Sequence, residues 1–76
     1  MSPIPIPKPS YLDNCDFLGA GHGRKRWRST DGSRLFEWDS QHGEIEVYNR
    51  RGKHLGVFDN EGNYIKGPEK KRTIDV

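Results

Sequence analysis

Residues 36–48, FEWDSQHGEIEVY, decide the fold of this chain. Apolar and polar residues alternate on both sides of a turn at residues 40–43, which is the pattern of a half-buried β-hairpin. Successive side chains of a strand point to opposite faces, so one face collects Phe36, Trp38, Ile45 and Val47. The other face collects the carboxylates Glu37, Asp39, Glu44 and Glu46. Like charges that face each other across a sheet are destabilising, unless neighbouring cations or a function compensate.

The chain on both sides of this hairpin predicts a mainly β fold, an antiparallel meander of about five strands. Asp31-Gly32 predicts a turn between strands at 24–30 and 33–39, and Arg51-Gly52 predicts one between 44–50 and 53–59. Gly62 leads into a short strand at 63–66. The resulting registers pair Arg26 with Glu37, Trp27 with Phe36, Glu37 with Glu46, Asp39 with Glu44, Ile45 with Phe58, Val47 with Gly56, and Tyr48 with Leu55. The apolar face then gains Trp27 and Phe58, and the carboxylate face gains Arg24, Arg26 and Arg28.

Residues 1–22 have a different character. Proline at positions 3, 5, 7 and 9 predicts an extended, polyproline-like arm. Residues 11–18 predict one or two helical turns, with Ser10 as N-cap and Asp13 completing a capping box. The glycine-rich residues 19–23 predict a flexible connection, and we expect His22 within it to have no role as a ligand.

Composition limits the chain to one small domain. It has 76 residues, of which 30% are hydrophobic and 32% charged, so its core is small. The sequence contains no apolar run of membrane-spanning length and no signal-peptide pattern, and we expect no membrane anchoring. The single Cys15 excludes an internal disulfide and a cysteine-rich zinc site, and we expect an unreactive thiol.

The net charge of +2 hides an uneven distribution. Basic residues cluster at 24–28, 50–53 and 70–72, close in sequence to Trp27, Tyr48 and Tyr64. Such clusters suit a polyanion with bases that can stack, as in single-stranded or looped RNA. Two alternatives stay open: the basic clusters could be only solvated surface, and Tyr48 could serve in packing rather than in base stacking.

The spacing of Asp39, His42, Glu44 and Glu46 supplies the parts of an acid–base site. RNA carries its own nucleophile, the 2′-hydroxyl, so its cleavage requires a base, an acid and a cation for the phosphorane charge. Glu46, in mid-strand among like charges, suits the base. His42 suits the acid, with Asp39 favouring its charged form. The alternative is an exposed turn histidine among solvated acids.

A metal site is the less favoured hypothesis. The three histidines match no recurrent ligand spacing, and the predicted register puts His54 on the apolar face, opposite Asn49. We therefore expect no metal and no other cofactor, which also disfavours a metal-dependent DNase.

Four segments raise a family resemblance: RKRW at 24–27, EWDSQHGE at 37–44, HLGVFD at 54–59 and KGPEKKR at 66–72. With the residues between them, from Gly23 to Ile74, they resemble the cytotoxic ribonuclease domain of the ribosome-targeting E-type colicins and cloacin. The resemblance implies a strongly twisted antiparallel sheet behind a short N-terminal helical segment. It also implies cleavage of small-subunit ribosomal RNA at the decoding site, which halts translation.

The resemblance assigns roles to residues and predicts partners. The catalytic residues it implies are Asp39, His42, Glu44, Glu46 and Arg72. With the basic clusters and Tyr48, it gives the substrate-binding candidates Arg24, Arg26, Tyr48, Lys66 and Lys70. Residues 23–76 form the predicted cytotoxic domain, preceded by the arm and helical segment at 1–22.

The implied partners are the ribosome and a small acidic immunity protein. We expect a monomer, delivered as part of a larger bacterial toxin and active in the cytoplasm of the target cell. The competing hypothesis is a non-catalytic RNA-binding or adaptor module. A pure binding surface would favour lysines over a cluster of acids, which argues against that alternative.

Overall fold

The computed structural model of the protein describes residues 2–20 and 23–76, so His22 lies outside the described residues. Six strands form one antiparallel sheet in which each strand pairs with its sequence neighbours. The strands are β1 (Asp16–Gly19), β2 (Arg26–Arg28), β3 (Arg34–Asp39), β4 (Glu44–Asn49), β5 (His54–Phe58) and β6 (Tyr64–Lys66). The predicted mainly β meander is confirmed, with one strand more than expected.

The additional strand, β1, lies in the segment that was predicted to be helical. A 3₁₀ helix spans Tyr11–Asn14, and the predicted capping box of Ser10 and Asp13 is confirmed. The prediction of helical turns as far as residue 18 was wrong. Cys15 takes extended backbone angles (φ −114°, ψ 161°), and Phe17 then pairs with Trp27 across β1 and β2. Pairing with a sheet edge outweighs the weak local preference for a helix.

The hairpin registers agree with the predicted turns over most of the sheet. The pairs Arg26–Glu37, Trp27–Phe36, Glu37–Glu46, Asp39–Glu44, Ile45–Phe58 and Val47–Gly56 are all present. After Val47 the register shifts by one residue, so Tyr48 faces His54 instead of Leu55. The last predicted pair was therefore wrong.

Gly56 explains the shift. Its φ of 147° and the approach of the Lys66 carbonyl oxygen, which would lie 2.6 Å from an added Cβ, require glycine. An extra residue on one strand forms a β-bulge, which reverses the faces of the residues beyond it. Leu55 consequently packs against the apolar core. His54 moves to the carboxylate face, and its prediction on the apolar face opposite Asn49 was wrong.

The apolar face of the sheet is covered by the 3₁₀ helix and part of the arm. The buried cluster consists of Leu12, Trp27, Phe36, Trp38, Ile45, Val47 and Phe58, with Ile6, Tyr11, Cys15 and Leu55 packed against it. All six residues predicted for this face belong to the cluster. Tyr11 meets Phe36 and Phe58 edge-on, at ring-centroid distances of 5.6 and 5.7 Å. Each buried side chain of this size stabilises the fold by about 1.5–3 kcal/mol.

The carboxylate face is partly covered as well, by residues 67–76, which follow β6 and are called the C-terminal segment below. Lys53 forms a bridge with Thr73, the Ile74 N–H donates to the Gly52 oxygen, and Arg26 donates to the Asp75 oxygen. Gly52 has φ 86°, and an added Cβ would collide with the Ile74 oxygen. This cover converts an open charged surface into a cleft.

None of the helical structure within residues 2–20 and 23–76 is long and apolar enough to cross a bilayer.

Cys15 is a free cysteine. Burial, followed by the charge of Asp16, raises the pKa of its thiol. A thiol held in its protonated form is a poor nucleophile, in line with the expected lack of reactivity.

Candidate active site

A cleft of about 260 Å³ lies on the carboxylate face, between β4, β5 and the C-terminal segment. Its lining includes Asp39, His42, Glu44, Glu46, Lys66 and Arg72. All five predicted catalytic residues, together with Lys66, therefore converge on one concave site. His54 and Glu69 also line the cleft.

Asp39 and His42 form the pair at the hairpin turn. Asp39 Oδ1 accepts hydrogen bonds from the backbone N–H groups of Gln41 and His42, and its Oδ2 lies 2.8 Å from His42 Nδ1. Gly43, at φ 68°, completes the turn. The imidazole is mostly exposed while the carboxylate is buried. Asp39 thus holds the imidazole of His42 in place through Nδ1, and Nε2 can form a hydrogen bond with a bound molecule.

The pKa of Asp39 lies below its usual value. Burial raises this pKa, but the hydrogen bonds from the His42 side chain and from the backbone of His42 and Gln41 lower it more, with a further contribution from the Arg24 charge. Asp39 therefore remains a carboxylate at neutral pH. A fixed negative charge therefore stands next to the ring of His42 and orients it.

Glu46 is the buried carboxylate of the cleft, with 2% of its surface exposed. Its Oε1 accepts a hydrogen bond from Arg72 Nη1 at 2.8 Å and lies 2.8 Å from His54 Nε2. A buried carboxylate is costly unless it is paired and hydrogen-bonded. The two partners come from β5 and from the C-terminal segment, so the site exists only when both pack on β4.

Glu44 stands at the more open side of the cleft, with Lys66 Nζ 3.3 Å from its Oε1. Ligand atoms of Asp39, His42 and Glu44 lie within 4.8 Å of one another, close enough to hold a cation. Asp39 already accepts three hydrogen bonds and Glu44 faces a lysine, so protein donors compensate both charges. Independence from metal stays a prediction, to be tested with a chelator.

The remaining basic candidates differ in what they contact. Arg24 Nη2 lies 4.0 Å from Asp39 Oδ1, beside the turn. Arg26 donates twice to Glu37 Oε2 and once to the Asp75 carbonyl, so its guanidinium is largely engaged within the protein. Lys70 is exposed. These contacts explain how the acids on this face coexist, because each of the closest arginines compensates a different carboxylate.

Tyr48 is not available for base stacking. Only 1% of its surface is exposed, and its ring packs edge-on against His54 at a centroid distance of 5.2 Å. Burial raises the pKa of its phenol. A stacking platform needs an open ring face, so the prediction of Tyr48 as a substrate-binding residue was wrong and the packing alternative holds. The exposed aromatic rings among the described residues are Phe17 and Tyr64.

His54 is the residue of the cleft that the sequence interpretation missed. It was excluded because a regular register put it on the apolar face. The signal that could have placed it correctly is Gly56, since an isolated glycine inside a strand often marks a bulge.

The fold is a small antiparallel β domain whose cleft is lined by acidic and basic side chains, and comparison with known proteins identifies its family. Residues 11–75 match the family model described as Cytotoxic. The chain therefore belongs to the Cytotoxic family. This match begins before residue 23, where the resemblance in sequence became visible.

Three relatives from Escherichia coli are bacteriocin toxins. Colicin E3 is 54% identical over 56 residues, 71% of this chain. Colicin-E6 is 50% identical and cloacin 48% identical, each over 58 residues, 74% of this chain. The predicted resemblance to the E-type colicins and cloacin is confirmed. The chain spans 10% of the length of each of these relatives.

Proposed function

We propose that this domain is a metal-independent endoribonuclease toxin that cuts small-subunit ribosomal RNA at the decoding site. The observation that carries the proposal is the convergence of two acid–base elements in one cleft. One is the buried Glu46 with Arg72, and the other is the Asp39–His42 pair. A pure RNA-binding surface has no use for a buried carboxylate at its centre, because that charge repels phosphate.

The reaction is a transesterification within the RNA. Glu46 removes the proton of a ribose 2′-hydroxyl, whose oxygen attacks the adjacent phosphorus. The O2′–P bond forms and the P–O5′ bond breaks, while His42 donates a proton to the departing 5′-oxygen. The products are a 2′,3′-cyclic phosphate and a 5′-hydroxyl. No water and no cofactor enter this step.

The other residues of the cleft support this exchange. Arg72 lies beside the base and stabilises the charge that develops on the phosphorane oxygens. Asp39 orients His42 through the contact between its Oδ2 and Nδ1 of the ring. Glu44 and Lys66 form the opposite rim, where Lys66 contacts a phosphate. Arg24 and Lys70 add phosphate contacts outside the cleft.

The proposal extends to partners and delivery. The domain acts as a monomer on the ribosome, in the cytoplasm of the target cell, after delivery by a larger bacterial toxin. A small acidic immunity protein covers the basic surface around the cleft and blocks access of RNA in the producing cell. Charge complementarity with the clusters at 24–28 and 70–72 would accelerate its association.

The decisive experiment follows ribosomal RNA after incubation of intact ribosomes with the purified domain. We expect a single cut, with a 2′,3′-cyclic phosphate on the upstream fragment and a 5′-hydroxyl on the downstream one, and cleavage about 10²–10⁴-fold slower with the Glu46→Gln variant. Because ribosomes require Mg²⁺, the metal test uses protein-free decoding-site RNA in EDTA, where slow cleavage should persist. Ribosome binding without cleavage by the wild-type domain would support the adaptor alternative instead. Cleavage that EDTA abolishes would assign a metal to Asp39, His42 and Glu44.

A further inference from the structure

His54 is buried beneath the cleft, with 2% of its surface exposed, and makes three polar contacts that join different elements. Its Nε2 lies 2.8 Å from Glu46 Oε1 on β4. Its Nδ1 accepts a hydrogen bond of 2.9 Å from the backbone N–H of Glu69. Its own backbone N–H donates to the carbonyl oxygen of Arg72 at 3.1 Å. A single residue thus connects the general base with the segment that carries Arg72.

The contact with Glu69 assigns the tautomer of the imidazole. A backbone N–H can only donate, so Nδ1 must present a lone pair to it. The proton of a neutral His54 ring is then on Nε2, where it points at Glu46 Oε1. An imidazolium would place a second N–H against the Glu69 N–H and lose that hydrogen bond. The arrangement therefore fits a neutral donor.

The two oxygens of Glu46 are consequently not equivalent. Oε1 takes both donors, His54 Nε2 and Arg72 Nη1. Within residues 2–20 and 23–76, no protein donor forms a hydrogen bond with Oε2. One oxygen is anchored, and the other is left to accept a proton.

We propose that His54 is a positioning residue for the reaction described above. It holds Glu46 through Oε1 so that Oε2 is presented to the 2′-hydroxyl, and the Glu69 N–H keeps His54 in the donating tautomer. His54 exchanges no proton with the substrate. The inference rests on the proposed function, because it concerns the base of that reaction.

Several charged and titratable groups surround Glu46. Glu37 faces it from β3, and Tyr48 lies two residues further along its own strand. The others line the cleft: Asp39, His42, Glu44, Lys66, Glu69 and Arg72. Of these, Glu37 is compensated by Arg26 and Glu44 by Lys66. Loss of the His54 donor would leave Arg72 as the sole contact of Oε1 within the described part of the chain. The carboxylate would then be less firmly oriented toward the substrate.

Two variants of His54 distinguish the role of ring nitrogen Nδ1 from that of Nε2. His54→Asn retains an acceptor at the position of Nδ1 but reaches too little to contact Glu46, whereas His54→Gln can place an amide N–H at the position of Nε2. We expect His54→Asn to reduce the single-turnover cleavage rate of ribosomes about 10- to 100-fold, with little change in apparent KM. His54→Gln should restore most of the rate.

A folded His54→Asn protein with the wild-type rate would overturn the proposal. So would equal losses in both variants, which indicate a merely structural role. Nitrogen NMR of the wild-type domain gives a readout that does not depend on activity. It should report His54 protonated at Nε2 and not at Nδ1, and a ring protonated at Nδ1 would refute the assignment. Failure of the wild-type domain to cut any RNA would instead refute the proposed function.

Discussion

The backbone N–H of Ile4 donates to the carbonyl oxygen of Ser40 at 2.8 Å, which ties the N-terminal arm to the turn that presents His42. Trp38 Nε1 donates back to the Ile4 oxygen at 2.9 Å. Gly43 in the same turn lies against Ile4, since an added Cβ would be 3.3 Å from Ile4 Cδ1. The arm precedes residue 11, where the family match begins. A segment outside the matched region therefore supports the turn that carries His42.

Removing residues 2–6 is expected to lower both the free energy of unfolding and the cleavage rate. The deletion removes the hydrogen bond that Trp38 Nε1 donates to Ile4, at a cost of about 0.5–1.5 kcal/mol, and frees the turn at Ser40. Denaturant unfolding and single-turnover cleavage measure the two effects. The matched control is Asn60→Ala, which releases the arm at Pro7 and Pro9 without touching the turn. If both proteins lose stability but neither loses rate, the arm has no influence on His42.

Replacing Glu46 by Gln, or His42 by Ala, is expected to reduce cleavage about 10²–10⁴-fold, the usual size of a general acid–base contribution. Circular dichroism should be unchanged for His42→Ala, because that side chain is mostly exposed. Glu61→Gln, at an exposed turn position, is the matched control and should keep the wild-type rate. A folded variant of either cleft residue with near-normal activity would remove that residue from the mechanism.

Arg72 is expected to act on the rate, and Arg24 and Lys70 on affinity. Arg72 donates to Glu46 inside the cleft, whereas Lys70 is exposed. Arg72→Ala should lower the single-turnover rate at saturation, and Arg72→Lys should recover only part of it, since lysine lacks the planar fork. Arg24→Ala and Lys70→Ala should raise the apparent KM and reduce its salt dependence. An Arg72→Ala variant that changes only KM would make this arginine a binding residue.

The low pKa of Asp39 predicts a stability contribution that depends on pH. Its pKa in the folded protein lies below the ordinary value of 3.8, so the contribution is present above pH 3.8 and is lost as the pH falls through the folded-state pKa. Asp39→Asn should therefore unfold more easily than the wild type at pH 7. The difference should shrink below pH 3.8. A difference that is independent of pH would show that the Asp39 charge is not stabilised by its neighbours.

Ribosomes are expected to be cut at one site, and protein-free RNA of the same sequence far more slowly. The cleft offers little surface for reading a sequence, and the buried Tyr48 supplies no stacking platform. The acids of the cleft also repel bare RNA, so the basic clusters must dock first. Single-turnover rates on both substrates at matched salt measure the difference. Equal rates, or many products from ribosomes, would indicate a general ribonuclease.

Much of this protein follows from the sequence alone, because alternation with a period of two fixes the faces of a strand once the turn is located. The FEWDSQHGEIEVY hairpin specified the pairs Glu37–Glu46 and Asp39–Glu44, as well as the apolar face built on Phe36 and Ile45. The Asp39–His42 contact is also local, since the two residues belong to the same turn.

The tertiary structure decided which distant segments pack against the two faces of this hairpin. The bulge beside Gly56 shifted the register and brought His54 to the face of Glu46. The glycine is visible in the sequence, but its contact with the Lys66 carbonyl oxygen of β6 belongs to the tertiary structure. Packing of the C-terminal segment over β4 and β5 buried Glu46 and Tyr48. Burial depends on which distant segments cover a face, whereas alternation reports only which side chains share it. For that reason the sequence determined the members of the acid–base set, and the fold decided how Glu46 is held among them.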